Sequence, residues 1–288
     1  MPTSRLLSIH DHSRQSASLR YVYTVLSRRA GGVSVGINLN PDHTCNWACV
    51  YCQVEGLRKG VPPPPDLRQL EMELRGLLRD ALQGDFLVRH APPEARVIKD
   101  IAFSGNGEPT LSPAFAEAVS IVQSVMRECT AESKHPPLYL RLISNGSQMH
   151  RLSVQRGVAL LGESDVPGEV WFKLDRATPK GTASVNKNRQ NPSAVLNRLR
   201  RCAQLAPTWL QSCWFALDGS PPSAGERDAW LQLAVQAAPC LRGVHLYGVA
   251  RTSMQTGAQR LSDLPRSEME DFAAEIHAHT GLLVNIAY

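Results

Sequence analysis

The chain has 288 residues, too many for one minimal domain and too few for two large ones. Its 43% hydrophobic and 20% charged residues are ordinary for a soluble globular protein, and no apolar run nears membrane-span length, which argues against an integral membrane protein. Lys plus Arg (31) exceeds Asp plus Glu (26) by only 5, a weak attraction for anionic partners.

Much of that excess lies early, at Arg5, Arg14, Arg20, Arg28 and Arg29, with Asp11 the sole acid before residue 42. Residues 1–30 therefore read as a basic, partly ordered N-terminal arm rather than a transit peptide, and no signal-peptide core is present. "GGVSVGINLN" (31–40) reads as a strand, followed at once by a loop with three cysteines. "VPPPP" (61–65) is a polyproline stretch that continues neither a helix nor a central strand. From Asp66, a plausible N-cap, leucines at helical spacing predict a helix to about Leu82.

The pattern then alternates. "KDIAFSG" (99–105) is strand-like, and Ser112 and Pro113 open a helix whose buried face is Phe115, Val119, Val122 and Met126. "LYLRLIS" (138–144), "EVWFKLD" (169–175), "LQSCWFALD" (210–218) and "GVHLYGV" (243–249) are further strands. Helices follow them at about 150–161, from Pro192, from Gly225 and from Pro265, and "LLVNIAY" (282–288) is a last strand. Strands separated by helices of this length predict a mostly parallel sheet of the α/β class. Six such units make a partial (βα)6 TIM-like barrel, expected as one domain over 31–288.

In such barrels, function sits on loops at the C-terminal ends of strands. The cysteine loop is at such an end, and so are "GNGEPT" (105–110), "SNG" (144–146), the end of "KLDRAT" (173–178) and "VAR" (249–251). Seven cysteines, three clustered at Cys45, Cys49 and Cys52, are no disulfide scaffold. They indicate a reducing, cytoplasmic setting and clustered thiols that serve a metal or chemistry. Structural zinc wants four ligands, which here only His43 could complete. A four-iron cluster held by three thiolates leaves one iron open to a cofactor or substrate. Cys213 and Cys240 read as core thiols, and Trp171, Phe172, Trp214 and Phe215 as barrel packing.

Cys45-x3-Cys49-x2-Cys52, with Tyr51 before the last cysteine, resembles the signature of the radical S-adenosylmethionine (SAM) superfamily. "SGNGEPTLSP" (104–113) is similar to that superfamily's glycine–glutamate motif, with Asn106 where a second glycine is common. Together with "ISNG" and "WFKLD", the run resembles a bacterial branch related to wybutosine-synthesis radical SAM proteins. The resemblance implies that Cys45, Cys49 and Cys52 ligate one [4Fe-4S] cluster whose fourth iron chelates SAM. It places the Tyr51 backbone at the adenine, the Gly105–Asn106–Gly107–Glu108 turn at the methionine amino group, and Ser144 and Asn145 near the ribose or carboxylate. Asp175 is a further contact to cofactor or substrate.

It also implies reductive cleavage of SAM to a 5′-deoxyadenosyl radical, hydrogen abstraction from a substrate, and a flavodoxin- or ferredoxin-like electron donor. The substrate stays open among a tRNA base, a metabolite and a peptide. "NRLRRC" (197–202) and the arm could meet RNA phosphates, yet no aromatic RNA-binding motif accompanies them. Lys173 and Arg251 stand at strand ends, suited either to an anionic ligand or to structural ion pairs. Two alternatives remain at this point: a zinc- or cluster-binding regulatory module, and a non-catalytic relative.

Overall fold

The computed structural model describes residues 6–7, 19–27, 30–131, 135–249 and 251–288. Arg5, Asp11, Arg14, Arg28 and Arg29 of the basic arm, and Ala250 of "VAR", lie outside the described residues.

The first strand, β1 (Val22–Ser27), lies within the span assigned to the arm, where no strand was expected. "VYTVLS" is rich in β-branched and aromatic residues and pairs antiparallel with β2 (Gly32–Asn38). A carboxylate fixes its entry: Glu73 accepts the backbone N–H groups of Arg20, Tyr21 and Val22 at 3.0, 2.8 and 3.2 Å. Glu73 belongs to α1 (Leu67–Gln83), which starts where the sequence places it, with Asp66 Oδ1 accepting from Gln69 N at 3.1 Å.

A short α2 (Phe86–His90) precedes β3 (Ile98–Ser104), and α3 (Phe115–Thr130) buries the four expected apolar residues. Then come β4 (Tyr139–Ser144), α4 (Leu152–Glu163) and β5 (Gly168–Lys173). A seven-residue α5 (Pro179–Val185) precedes α6 (Pro192–Leu205), whose first turn has Pro192 behind the Asn191 cap. The chain continues through β6 (Thr208–Cys213), β7 (Ala216–Leu217), α7 (Ala224–Ala237), β8 (Gly243–Tyr247), β9 (Leu261–Ser262), α8 (Arg266–Thr280) and β10 (Val284–Ala287).

The main sheet has eight strands in the order β1-β2-β3-β4-β5-β6-β8-β10, all neighbours parallel except β1 and β2. The order never reverses, so every crossover steps the same way and lays its helix on the same face. Successive helices α1, α3, α4, α6, α7 and α8 accordingly pack against one another in a row. This is the partial TIM-like barrel the alternation predicts, with β1 and β10 as its edges. The predicted strand 210–218 is cut at Cys213. Its tail instead forms β7, which pairs with β9, and Asp218 turns the chain at φ 55°.

Ile37, Phe103, Leu142, Phe172, Leu210 and Leu246 turn toward the helices and are sealed from solvent. Alternate residues on the same strands turn inward and line a cavity. Among the described residues, no helix is long and apolar enough to cross a membrane.

Candidate functional site

The cysteine loop leaves β2 and lies across the C-terminal ends of the strands. Four other strand ends hold it. After β3, Gly107 packs so closely that a Cβ there would stand 1.9 Å from the Thr44 carbonyl oxygen. After β4, Asn145 Nδ2 donates to Asn46 Oδ1 at 2.9 Å. After β5, Val185 and Asn186 at the end of α5 accept from Val50 N (2.8 Å) and Ala48 N (3.2 Å). Asn186 Nδ2 also points at Cys49 Sγ, 3.3 Å away. After β8, Ser253 Oγ donates to the Val50 carbonyl at 2.7 Å, and Gln255 Nε2 to the Val54 carbonyl at 2.6 Å.

Cys45, Cys49 and Cys52 border one cavity of about 260 Å³, shared with Tyr51, Gly105, Gly107, Glu108 and Asn145. The convergence expected of these loops is thus present. Asn106, Ser144 and Asp175 do not line the cavity; Ser144 and Asp175 are buried and Asn106 is partly exposed. Gly105 takes φ 114°, a conformation glycine tolerates, and Asn38 Oδ1 accepts from Asn106 N at 3.1 Å.

Glu108 is fully engaged. Its Oε1 accepts from Thr110 Oγ1 (2.6 Å) and Ser144 Oγ (2.7 Å), and its Oε2 from Asn145 N (2.7 Å). Burial raises the Glu108 carboxyl above its ordinary range, and these hydrogen bonds offset part of that rise. The side chain therefore ties the β3 loop to the β4 loop. Asp175 is engaged likewise: Oδ1 accepts from Cys213 N at 2.9 Å, and Oδ2 from Tyr51 OH at 2.5 Å and Asn186 Nδ2 at 2.7 Å. Lys173 Nζ donates to Tyr51 OH at 2.5 Å and stands 3.8 Å from Asp175.

Burial pushes the Cys45 thiol up to about 12 and the Cys49 thiol up to about 11, so both hold their protons at neutral pH without a bound cation. Among the described residues, no group of three His, Cys, Asp or Glu side chains is gathered so as to hold a single metal ion. His43 Nδ1 bonds to the Glu55 carbonyl at 2.7 Å.

Deeper in the barrel, Arg141 is clamped between Asp100 and Glu169; Nε meets Glu169 at 2.6 Å and Nη1 meets Asp100. Ser34 Oγ donates to Asp100, while Trp171 and Trp209 donate their indole N–H groups to Glu169 at 2.9 and 3.0 Å. His245 sits against both indoles, 4.4 and 4.7 Å between ring centroids. Trp171 thus faces the cavity, whereas Phe172, Trp214 and Phe215 pack in hydrophobic clusters as expected. Cys213 joins a small apolar cluster with Val50, Val185 and Phe215, but Cys240 is exposed and is no core thiol; it ends the short turn at 238–240, before β8 begins.

Asn46, Asn186, Ser253 and Gln255 were not anticipated. They are isolated polar residues in loops, and only the folded chain brings them to the cysteines. Asp100, Arg141 and Gln211 did leave a signal: each is a polar residue at an alternate position within an apolar strand.

No protein-family model matches the sequence, and no curated protein matches it. Solved structures do share the fold. SuiB of Streptococcus suis bound to S-adenosylmethionine aligns over 87% of this chain and 45% of its own, with a TM-score of 0.50 at 9% identity. A radical SAM methyltransferase from Sphaerobacter thermophilus aligns over 89% of this chain and 66% of its own (TM-score 0.55, 15% identity). For anSMEcpe with bound AdoMet the shares are 88% and 63% (TM-score 0.50, 15% identity). The chain spans about half to two-thirds of the length of these proteins. At such identities the likeness establishes the architecture.

Proposed function

We propose that this chain is a radical SAM enzyme that holds one [4Fe-4S] cluster on Cys45, Cys49 and Cys52. The observation that carries the reading is the meeting of that cysteine loop with the Gly105–Glu108 turn over one cavity, at the mouth of a partial barrel. The donor set suits the group: thiolates are soft ligands for iron–sulfur clusters. Each thiolate of such a cluster takes its own iron, so the sulfurs need only border one cavity rather than converge on a point. Trp47 Nε1, buried in the same loop without a hydrogen-bond partner among the described residues, is a donor left for a ligand.

When bound, cluster and SAM supply one-electron cleavage of a carbon–sulfur bond and a carbon radical that removes hydrogen from a substrate. The chain's own task is to hold, orient and enclose. The backbone at Tyr51 and at Gly105–Asn106–Gly107 forms the rim for SAM, and Asn145 lines the cavity beside it with its carboxamide held by Asn46 and Ser147 N. Ser144 and Glu108 support that rim through each other. Asp175 acts as a positioning residue, holding the Tyr51 hydroxyl and Asn186 under the loop. Trp47, Val54 and Leu57 supply apolar wall that excludes water.

The reading extends to a cytoplasmic setting, a flavodoxin- or ferredoxin-like electron donor and kinship with the wybutosine-related bacterial branch. Its test is anaerobic reconstitution with iron and sulfide. About four irons per chain are expected, with 5′-deoxyadenosine formed from SAM after reduction. The Cys45→Ala/Cys49→Ala/Cys52→Ala variant is expected to bind no cluster and give no product. A wild-type protein that binds zinc and no iron would overturn the reading. An intact cluster that binds SAM yet never cleaves it would leave a non-catalytic relative.

A further inference from the structure

We infer that Gln211 and Arg141 select a substrate with a neutral N–H beside a C=O, the edge presented by an amide, lactam or ureide. This rests on the proposed function, since it concerns the cavity under the same cysteine loop.

The inner face of this barrel is polar where such interiors are ordinarily filled by branched apolar side chains. Most of its polar groups satisfy one another. Asp100, Arg141 and Glu169 form a closed chain of ion pairs, and Lys173 is matched by Asp175. Two carboxylates share the one Arg141 guanidinium, so the floor carries an excess of negative charge that disfavours an anionic ligand.

Gln211 is different. It lines the cavity from β6 and is only 2% exposed, yet among the described residues its carboxamide oxygen has no hydrogen-bond partner. Buried carboxamides are ordinarily paired, because losing water without gaining a partner costs folding free energy. The two ends exchange on a half-turn about the terminal torsion, which is broad and two-fold. The group can therefore accept from a ligand N–H. Across β5, on β4, Arg141 lines the same cavity and spends Nε and Nη1 on its carboxylates; among the described residues its Nη2 makes no hydrogen bond. An acceptor at Gln211 and a donor at Arg141 are what an amide edge requires. A carboxylate would meet the Arg141 nitrogen but also the adjacent Asp100 and Glu169.

The experiment uses the full chain, reconstituted and loaded with SAM under anaerobic conditions, and reads fragment binding by ligand-observed NMR. The probes are 2-piperidone, δ-valerolactone and benzoate. The lactone has the lactam's shape without its N–H, and a site built to bond that N–H rejects it. The lactam is expected to bind at least about ten-fold more tightly than either of the others. Gln211→Leu is expected to abolish the preference, with the melting temperature unchanged or raised, since a buried amide with an unpartnered oxygen has been removed. Should Gln211→Leu fail to fold, Gln211→Met carries the same test.

Equal binding of lactam and lactone, tighter binding of benzoate, or a preference that survives at position 211 would each overturn the inference. The two readings fail separately. A wild type that prefers the lactam but binds no cluster sinks the proposed function alone. One that makes 5′-deoxyadenosine but shows no preference sinks this inference alone.

Discussion

On β4, Leu140 and Leu142 turn to the helices and are sealed from solvent, while Arg141 between them turns inward to Asp100 and Glu169. The same alternation runs through β6, where Leu210 joins the core and Gln211 lines the cavity. One face stores stability in apolar contact, and the other stores specificity in hydrogen bonds and ion pairs. Parallel strands covered on both sides ordinarily read as continuous apolar runs. Here the inward positions depart from that rule, and the departure marks the surface available for chemistry.

Substitutions can separate the two faces. The largest effect on stability is expected on the helix side: Phe103→Ala should cost about 3–5 kcal/mol in urea unfolding, while iron bound per folded molecule stays the same. A loss of iron binding without destabilisation would reverse the assignment. Asp100→Ala follows at about 3 kcal/mol, because it strips one of two carboxylates from a largely buried guanidinium. The double variant Asp100→Ala/Arg141→Met should recover much of that cost; equal losses in the single and double variants would show that the ion pair is not the cause.

Asn186→Ala should cost about 1–2 kcal/mol through the hydrogen bonds lost at Asp175 and Cys49. Faster amide hydrogen exchange at Ala48 and Val50, whose N–H groups bond to the end of α5, is the local readout. Unchanged exchange there would mean that the loop is held without this side chain. The smallest effect is at the helix rim, where Asp66→Ala should cost about 1 kcal/mol by removing the cap of α1, with reconstitution unaffected.

The sequence made the main strands and most long helices legible, because each carries a run long enough to reveal its period. It missed β1, whose apolar run sits in a basic neighbourhood, and α5, whose seven residues have little helical signal of their own. That helix is set from outside: the Thr178 hydroxyl caps it, and Glu226 on α7 accepts from Ala177 N at 2.6 Å and Thr178 N at 3.0 Å. The tail of the predicted strand 210–218 misled for another reason. Trp214 is apolar because it stacks on Phe272 under the helices, 4.4 Å between ring centroids, not because it continues a strand.

At the site, the cysteines and the glycine turn were legible as motifs, since their spacing is local. Glu108 was legible as a residue of the cavity, whereas Ser144 and Asp175, expected at the cofactor, stand among its supports, and the hydrogen bonds of all three come from chain segments that only tertiary structure brings near. Asn186 and Gln255 carried no local signal for the same reason.

The frame around the cysteine loop also bears on the timing of assembly. Asn46 is tied to Asn145 across 99 positions, Cys49 to Asn186 across 137 and Val50 to Ser253 across 203. The last of these supports is made 203 residues after the part of the loop it holds. Contacts of such long sequence separation form late and slowly. On the proposed reading, metal offered to a nascent chain meets cysteines without their frame, so loading belongs after the Ser253 segment has joined the barrel.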